Sequence, residues 1–543
     1  MTSAKWARTS LRIATLLLLI SLATPRAVPG EASAQVTTAA GGTTVQWTGG
    51  YALLQHPIPA TNPQPWSITT DPRGRAWFVE QGTNQLGEYD PSTGNFSQYP
   101  IPTSHSTLDA VTSDSSGDIW FVELTANKLG ELAAGSSGIV EYQIPGETVN
   151  LGTLTQPVAC GPGAVLADPS GVVWVACLFS NQIDEFSPST AAFSSYDLPV
   201  FQSAPAGLAL DGKGDLWFTA ADANMLGKAV VSELLNGTDR GITEFAPLNQ
   251  TYVFSSNHPT SFLGSNEVIN SSIQTPSGIA FDQSGRLWVT EHVDNSFDSY
   301  DPVSQSLVKY WTTQTFGAYG YLVTFPNGVA VGPGGEVWIG EHYGNRIAEL
   351  IPSAGVMTEY PVSCCNSTIA GVYSVAMGPD GRLWFVEIGG GAIGEVVPRS
   401  GPQLSLSLPQ TAFRLGTSGS ASVPLTFSQG RGNSTTLSLS VSGVSMTGAP
   451  QNMTATFGSP KLTVTGGGQA QTDLNFSLQG MNPGVYYVNL GATTQEGVIY
   501  SAVLKLIVTQ SSPNILLTVV PVAAAAAVAA GVAGWLLARR SQG

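Results

Sequence analysis

Short apolar runs of four or five residues, each fenced by turn-forming residues, recur along residues 51–398. The most regular is Trp77-Phe78-Val79-Glu80. It returns as Trp120-Phe121-Val122-Glu123, Trp174-Val175-Ala176-Cys177, Trp217-Phe218-Thr219-Ala220, Trp288-Val289-Thr290-Glu291, Trp338-Ile339-Gly340-Glu341 and Trp384-Phe385-Val386-Glu387. Before each copy lies a turn of the Asp71-Pro72-Arg73-Gly74 kind, in which Gly takes the positive φ. A short apolar strand precedes that turn, as in Gly278-Ile279-Ala280-Phe281. An Asn-bearing turn and a third strand follow, as in Asn84-Gln85-Leu86-Gly87-Glu88-Tyr89, and a fourth strand closes the unit near an Ile-Pro pair such as Ile101-Pro102. A four-stranded unit of this kind buries its faces only against neighbours arranged around an axis. Seven copies therefore predict an all-β chain whose residues 35–400 form a seven-bladed β-propeller, with the repeated Trp packed between blades.

The pattern also predicts how the ring closes. Tyr51 to Pro59 reads as a fourth strand standing before the first repeat, and the seventh repeat, ending near Pro398, lacks its own. The N-terminal strand should pair with the strand around Gly394–Pro398, because closure removes the exposed edges of an open array. From about Gly401 the pattern shifts to strict alternation, as in Leu404-Ser405-Leu406-Ser407-Leu408 and Thr436-Leu437-Ser438-Leu439-Ser440-Val441. This predicts an immunoglobulin-like β-sandwich, read as a stalk, over residues 401–511.

Both ends carry apolar runs of another kind. Lys5, Arg8 and Arg12 precede the run Ile13–Ala23, and Ala32-Ser33-Ala34 is a small-x-small site, so residues 1–34 read as a secretory signal peptide. Residues 515–538 hold no charge and are followed by Arg539-Arg540. That run is long enough for a transmembrane helix, and the arginines put the C-terminus in the cytoplasm. The expectation is a monomeric single-pass protein of the cell surface with its propeller outside. Composition agrees: only 11% of residues are charged and the net charge is −16, which argues against nucleic acid. Asn95, Asn236, Asn249, Asn270, Asn366, Asn433, Asn452 and Asn475 open glycosylation sequons. The four cysteines show no Cys-x-x-Cys spacing of the kind that holds zinc; in an oxidising compartment Cys160 and Cys177 could pair across one blade, adjacent Cys364 and Cys365 could bridge or stay reduced, and the sequence leaves the connectivity open.

Candidate chemistry gathers on one face. The long connections before the fifth and sixth copies carry Tyr252, Phe254, His258 and Phe262, then Trp311, Phe316, Tyr319, Tyr321 and Phe325, and connections of that length are usually functional. By strand direction they share a face with the Glu that ends each copy. Five blades keep this residue: Glu80, Glu123, Glu291, Glu341 and Glu387. Facing a common axis, they would form a negative funnel, with Glu291, Glu341 and Glu387 from adjacent blades placed to hold Mg2+ or Ca2+. Alternatively each Glu closes its own blade through hydrogen bonds, with Asn84, Asn127, Asn295 and Asn345 four residues on as partners. His292 and His342 follow two of the glutamates directly; turned inward, they are candidate bases, His342 the better for having Tyr343 beside it.

Trp-Phe-x-Glu, the following Asn-x-Leu/Ile-Gly-Glu and the strands ending Tyr-x-Ile-Pro together resemble the virginiamycin B lyase (streptogramin lyase) family over residues 51–398. The resemblance implies a carbon–oxygen lyase that opens a cyclic depsipeptide at its ester, with Mg2+ and a histidine base. It also implies where that histidine should stand, in a Pro-His-Gly-Ile sequence fourteen residues before the Glu. Here the matching positions are Trp66, Asp109, Gly163, Ala206, Ser277, Asn327 and Tyr373, none of them histidine. Trp66, Asp109, Asn327 and Tyr373 are expected to line the funnel. Two further readings stand beside the lyase: a non-catalytic surface module binding a small molecule, peptide or glycan, and a gluconolactonase-type lactonase with a central metal.

Overall fold

The computed structural model describes residues 37–38, 44–48, 51–150, 155–235, 241–247, 249–251, 273–293, 295–312, 324–352, 356–362, 370–398, 404–407, 412–442, 453–480, 483–495 and 499–509. The signal segment, the 515–538 run, Cys364 and Cys365, His258 and most of the aromatic insertions lie outside these residues, as do Asn236, Asn270, Asn366 and Asn452. Among the described residues no helix is long and apolar enough to cross a membrane.

Seven strands form the inner wall: Pro65–Thr70, Leu108–Ser113, Pro162–Ala167, Pro205–Leu210, Pro276–Phe281, Pro326–Val331 and Val372–Met377. Each lies beside the next, and the last returns to the first. Outward from each run the Trp-bearing strand, a third strand and a fourth, all antiparallel. The seventh blade takes its fourth strand from the N-terminus: Tyr51–Pro57 pairs antiparallel with Ala392–Pro398, Tyr51 opposite Pro398 and Pro57 opposite Ala392. The expected ring closure is present, although the strand stops at Pro57.

The motif residues now have physical roles. In the first five blades an Asp six residues before Trp accepts the indole N–H, from Asp71 and Trp77 at 3.2 Å to Asp282 and Trp288 at 3.0 Å. The other oxygen of the same Asp takes turn amides, as Asp71 Oδ1 does from Arg73 and Arg75. One carboxylate therefore makes the turn and fixes the ring that is buried against the next blade. Blades six and seven have Gly332 and Gly378 at this position, and the Trp338 indole nitrogen has no partner. The Gly of Leu-Gly-Glu makes room for the motif Phe: a Cβ on Gly87, Gly130, Gly227 or Gly394 would stand 1.9–2.2 Å from the ring of Phe78, Phe121, Phe218 or Phe385. Where the Phe is missing the pair changes together, to Val175 with Asp184, Val289 with Asp298 and Ile339 with Ala348.

The repeated Asn acts between blades. Asn84, Asn127, Asn181, Asn224, Asn295 and Asn345 adopt positive φ, a conformation Asn tolerates better than most residues. Their side-chain oxygens accept the amide of Ser106, Gly161, Ser203, Thr275, Thr324 and Gly371, each in the loop leading into the next blade, at 2.6–3.1 Å. The expected pairing of Asn84, Asn127, Asn295 and Asn345 with the glutamates is replaced by this clamp.

The C-terminal strands form two sheets. One runs Leu404–Ser407, Gly419–Gln429, Gln469–Leu478, Met453–Phe457. The other runs Ile499–Thr509, Gly484–Thr493, Thr435–Ser442, Lys461–Val464, and it continues the sheet of blade six, because Ile499–Thr509 pairs with Val356–Pro361. Alternate residues such as Val423, Leu425 and Phe427 meet Leu437, Leu490 and Leu506 in one core, which also takes in Trp338 and Tyr360 of blade six.

Candidate functional site

Every inner strand starts with the same irregularity. The ladder skips between Pro65 and Ser67, Leu108 and Val111, Pro162 and Ala164, Pro205 and Gly207, Pro276 and Ile279, Pro326 and Val329, and Val372 and Val375. These are β-bulges, which re-aim a side chain out of the regular pleat. The bulged residues include Trp66, Asp109, Gly163, Ala206, Ser277, Asn327 and Tyr373, the positions fourteen before the motif's end. The residue two before each bulge position, from Gln64 to Gly371, has φ between 45° and 68°. Its carbonyl accepts the amide of the residue after the motif: Gln81, Leu124, Leu178, Ala221, His292, His342 or Ile388, at 2.9–3.2 Å. That bond folds the strand end back over the bulge. Thr107, Thr275 and Phe325 hold this left-handed backbone despite a β-branched or aromatic side chain, which costs on the order of 1–3 kcal/mol each.

The two layers meet at the axis. The Trp66 and Tyr373 rings lie 4.2 Å apart between centroids. The Trp66 indole also donates to Asp109, whose carboxyl is nevertheless pushed up to about 7 by burial. Ser277 Oγ donates to Asn327 Oδ1 at 2.5 Å, and Asn327 Nδ2 donates to the Tyr373 carbonyl at 3.3 Å. Both histidines turn inward. The His342 ring lies 5.0 Å from Tyr373 and 6.1 Å from His292, which stacks on Phe325 at 5.1 Å. Burial lowers His292 to about 4 and His342 to about 3, so both are neutral at pH 7. The Nδ1 atoms of both lack a hydrogen-bond partner.

The glutamates behave differently. All five are buried, and their closest partners lie within their own blades. Glu80 accepts from Thr83 at 2.5 Å and from Gln98, on the fourth strand, at 2.8 Å. Glu123 lies by Lys128 and Glu141 and is pushed up to about 7 by burial and the Glu141 charge. Glu291 pairs with Lys309 and accepts the Gln274 amide at 2.9 Å. Glu341 stands 3.9 Å from Arg346, whose guanidinium is 3.8 Å from Glu359; burial and the Glu359 charge push Glu341 up. Glu387 accepts from Gln55 at 2.8 Å and is pushed up to about 8 by burial. Gln98, Lys309 and Gln55 on the fourth strands engage Glu80, Glu291 and Glu387, while Glu123 lies by Lys128 and Glu341 by Arg346, so in place of the expected convergence each carboxylate has a separate environment in its own blade.

This bears on the implied cation. Glu341 and Glu387 keep oxygens without hydrogen bonds, but Glu291 is engaged by Lys309. Among the described residues the only three His, Cys, Asp or Glu ligand atoms within 4.8 Å of one another belong to Cys160, Cys177 and Asp184. Glu291, Glu341 and Glu387 therefore do not fit a shared Mg2+ or Ca2+ site.

Residues 36–155 match the Virginiamycin B lyase family. A streptogramin B lyase structure is 23% identical, covering 64% of this chain and 98% of its own, with a TM-score of 0.50. The virginiamycin B lyase of Staphylococcus aureus is 22% identical, covering 64% and 100%, also at 0.50. The propeller is virginiamycin B lyase-like. A catalytically inactive histidine-to-alanine variant of the Staphylococcus aureus enzyme, solved with quinupristin, matches at the same identity and TM-score. No curated protein matches the chain. The virginiamycin B lyase-like fold accounts for the blades and leaves the axial chemistry to this chain's own residues. Period-two counting missed the bulges, although a Pro opens five of the seven inner strands, at 65, 162, 205, 276 and 326, and Pro in a strand marks its first residue or a bulge.

Proposed function

We propose that the axial site binds a cyclic ester and opens it by elimination, as a carbon–oxygen lyase. The observation that supports this is the placement of His342, buried, neutral and with an unpartnered Nδ1, beside Tyr373 at the axis. A neutral imidazole can take the proton next to a carbonyl while the ester oxygen leaves as a carboxylate. The ring then becomes cationic in a buried place. Burial and then the nearby Asp109 charge raise the Tyr373 hydroxyl, so Asp109 is close to the site and, once ionised, supplies compensation. Trp66 and Tyr373 offer a flat apolar wall, and Asn327, held by Ser277, offers an amide. His292 stacks behind His342, whose burial keeps it from protonating in the resting state.

The test is incubation with quinupristin. Elimination gives a product of unchanged mass that elutes differently, and His342→Ala abolishes it. A product heavier by one water points to the lactonase reading instead. Binding without any product supports the second reading, a surface module for a small molecule, peptide or glycan. That reading is favoured by the absence of histidine from all seven bulge positions. The same proposal keeps the immunoglobulin-like form of the C-terminal sheets, the single anchor at 515–538 and the extracellular location. Truncation after Pro513 should release the protein into the medium; retention on salt-washed membranes would overturn that part.

A further inference from the structure

Blade three departs from the repeat at three linked positions. Cys177 stands where five blades carry Glu, Val175 stands where four carry Phe, and Asp184 replaces the Gly that accommodates that Phe. Cys177 is joined to Cys160 by a disulfide, with Cα atoms 4.5 Å apart. In the ladder Cys177 faces Gln182 and Val175 faces Asp184, so Cys177 and Asp184 project from the same face of the blade. All three side chains are fully buried, and one ligand atom from each lies within 4.8 Å of the other two. Blade five also carries an Asp at this place, but Asp298 has Lys309 3.8 Å away, whereas Asp184 lies beside the disulfide. Its cross-strand neighbour Ser195 eases the carboxylate, yet neither oxygen makes a hydrogen bond of normal geometry. The space left by a missing Phe could have been filled by an apolar side chain without the desolvation cost of a buried carboxyl.

We propose that Cys160, Cys177 and Asp184 form a redox-gated site for a thiophilic divalent cation such as Zn2+. In the oxidised chain the sulfurs are bonded to each other and the site is closed. A dithiol reductant transfers two electrons and two protons to the bridge, giving two thiols, and is itself left as a cyclic disulfide. Zn2+ then displaces the thiol protons and binds two thiolates and the carboxylate, a set in keeping with its preference for tetrahedral sulfur, nitrogen and oxygen ligands. Water takes the fourth place.

The experiment uses the full chain and Co2+ as a spectroscopic stand-in for Zn2+. After reduction with a dithiol and removal of excess reductant, Co2+ should produce a thiolate-to-metal charge-transfer band that Zn2+ bleaches. The oxidised chain should show none. Cys177→Ser should remove most of the band. Asp184→Asn should weaken Co2+ binding at least tenfold while leaving the band's thiolate character. Circular dichroism of each reduced protein checks that blade three stays folded, and a reduced chain that keeps its native spectrum yet shows no band overturns the proposal. A band unchanged in strength and affinity in Asp184→Asn overturns the role of the carboxylate.

Discussion

At the scale of single residues, the repeat is a set of steric and electrostatic pairings, and each predicts its own cost. Gly87 lies under the Phe78 ring, and a Cβ there would stand 2.2 Å from it. Gly87→Ala is expected to cost about 1–3 kcal/mol by overpacking. Gly94 is the comparison: its φ is 73° but a Cβ would meet nothing within 4 Å, so Gly94→Ala should cost only the left-handed backbone penalty, about 1 kcal/mol. Urea midpoints of the two variants check the order; equal losses would contradict the packing account. Glu291 tests the electrostatic pairings. Lys309 is buried between Glu291 and Asp298, the latter at 3.8 Å. Glu291→Gln leaves that ammonium with its weaker partner and should cost about 3 kcal/mol, the usual result of breaking a buried pair. The Glu at five blade ends was legible in the sequence because it repeats, but its direction was not. Side-chain direction depends on what stands on strand four, and Gln98, Lys309 and Gln55 come from segments whose pairing only the folded blade fixes.

At the scale of elements, the ring was legible because its signal is local and periodic. The orphan strand before the first repeat and the missing strand in the seventh together fixed the closure. The bulges left only an indirect trace, the Pro that opens five of the seven inner strands, since a one-residue offset leaves the apolar count of a six-residue strand nearly unchanged. The pairing of Ile499–Thr509 with Val356–Pro361 was hidden, because no local pattern reports which distant edge a strand will meet. Closure by the N-terminal strand also has a measurable consequence. Tyr51–Pro57 holds Leu53, Gln55 and His56 buried, and Gln55 is the residue that engages Glu387. Deleting residues 45–60 removes a full ladder and leaves the edge of blade seven open. Amide exchange along Ala392–Pro398 should then accelerate to that of an unpaired edge, and the thermal transition should broaden. Unchanged protection there would mean that the ring does not depend on this strand.

At the scale of the whole molecule, buried carboxyls set the response to pH. Asp109, Glu123 and Glu387 are raised by burial to about 7, 7 and 8, and Asp222 to about 6. A carboxyl whose folded value exceeds its unfolded value holds a proton in the folded state that the unfolded chain has released. Its contribution to stability is present in full below the unfolded value and is lost as pH rises through the folded one. His292 and His342 have the opposite sign. Lowered from 6.5 to about 4 and 3, they contribute stability that is present above pH 6.5 and lost on acidification. Between pH 5 and 6.5 the two effects oppose each other. Above pH 6.5 the imidazoles are neutral in both states, and only the carboxyls remain. Stability should therefore fall between pH 6.5 and 8.5, with Glu387 alone accounting for about 2 kcal/mol at 1.36 kcal/mol per pH unit over its window. Urea midpoints across this range measure the slope, and Glu387→Gln should make it shallower without moving the acid limb. His292 acts on the acid side between pH 6.5 and about 4, so His292→Gln should soften the loss on acidification within that window and leave the alkaline slope intact. A stability that stays level from pH 6.5 to 8.5 would mean that these carboxyls are already ionised in the folded ring, and that Glu387 meets a compensating charge within its blade.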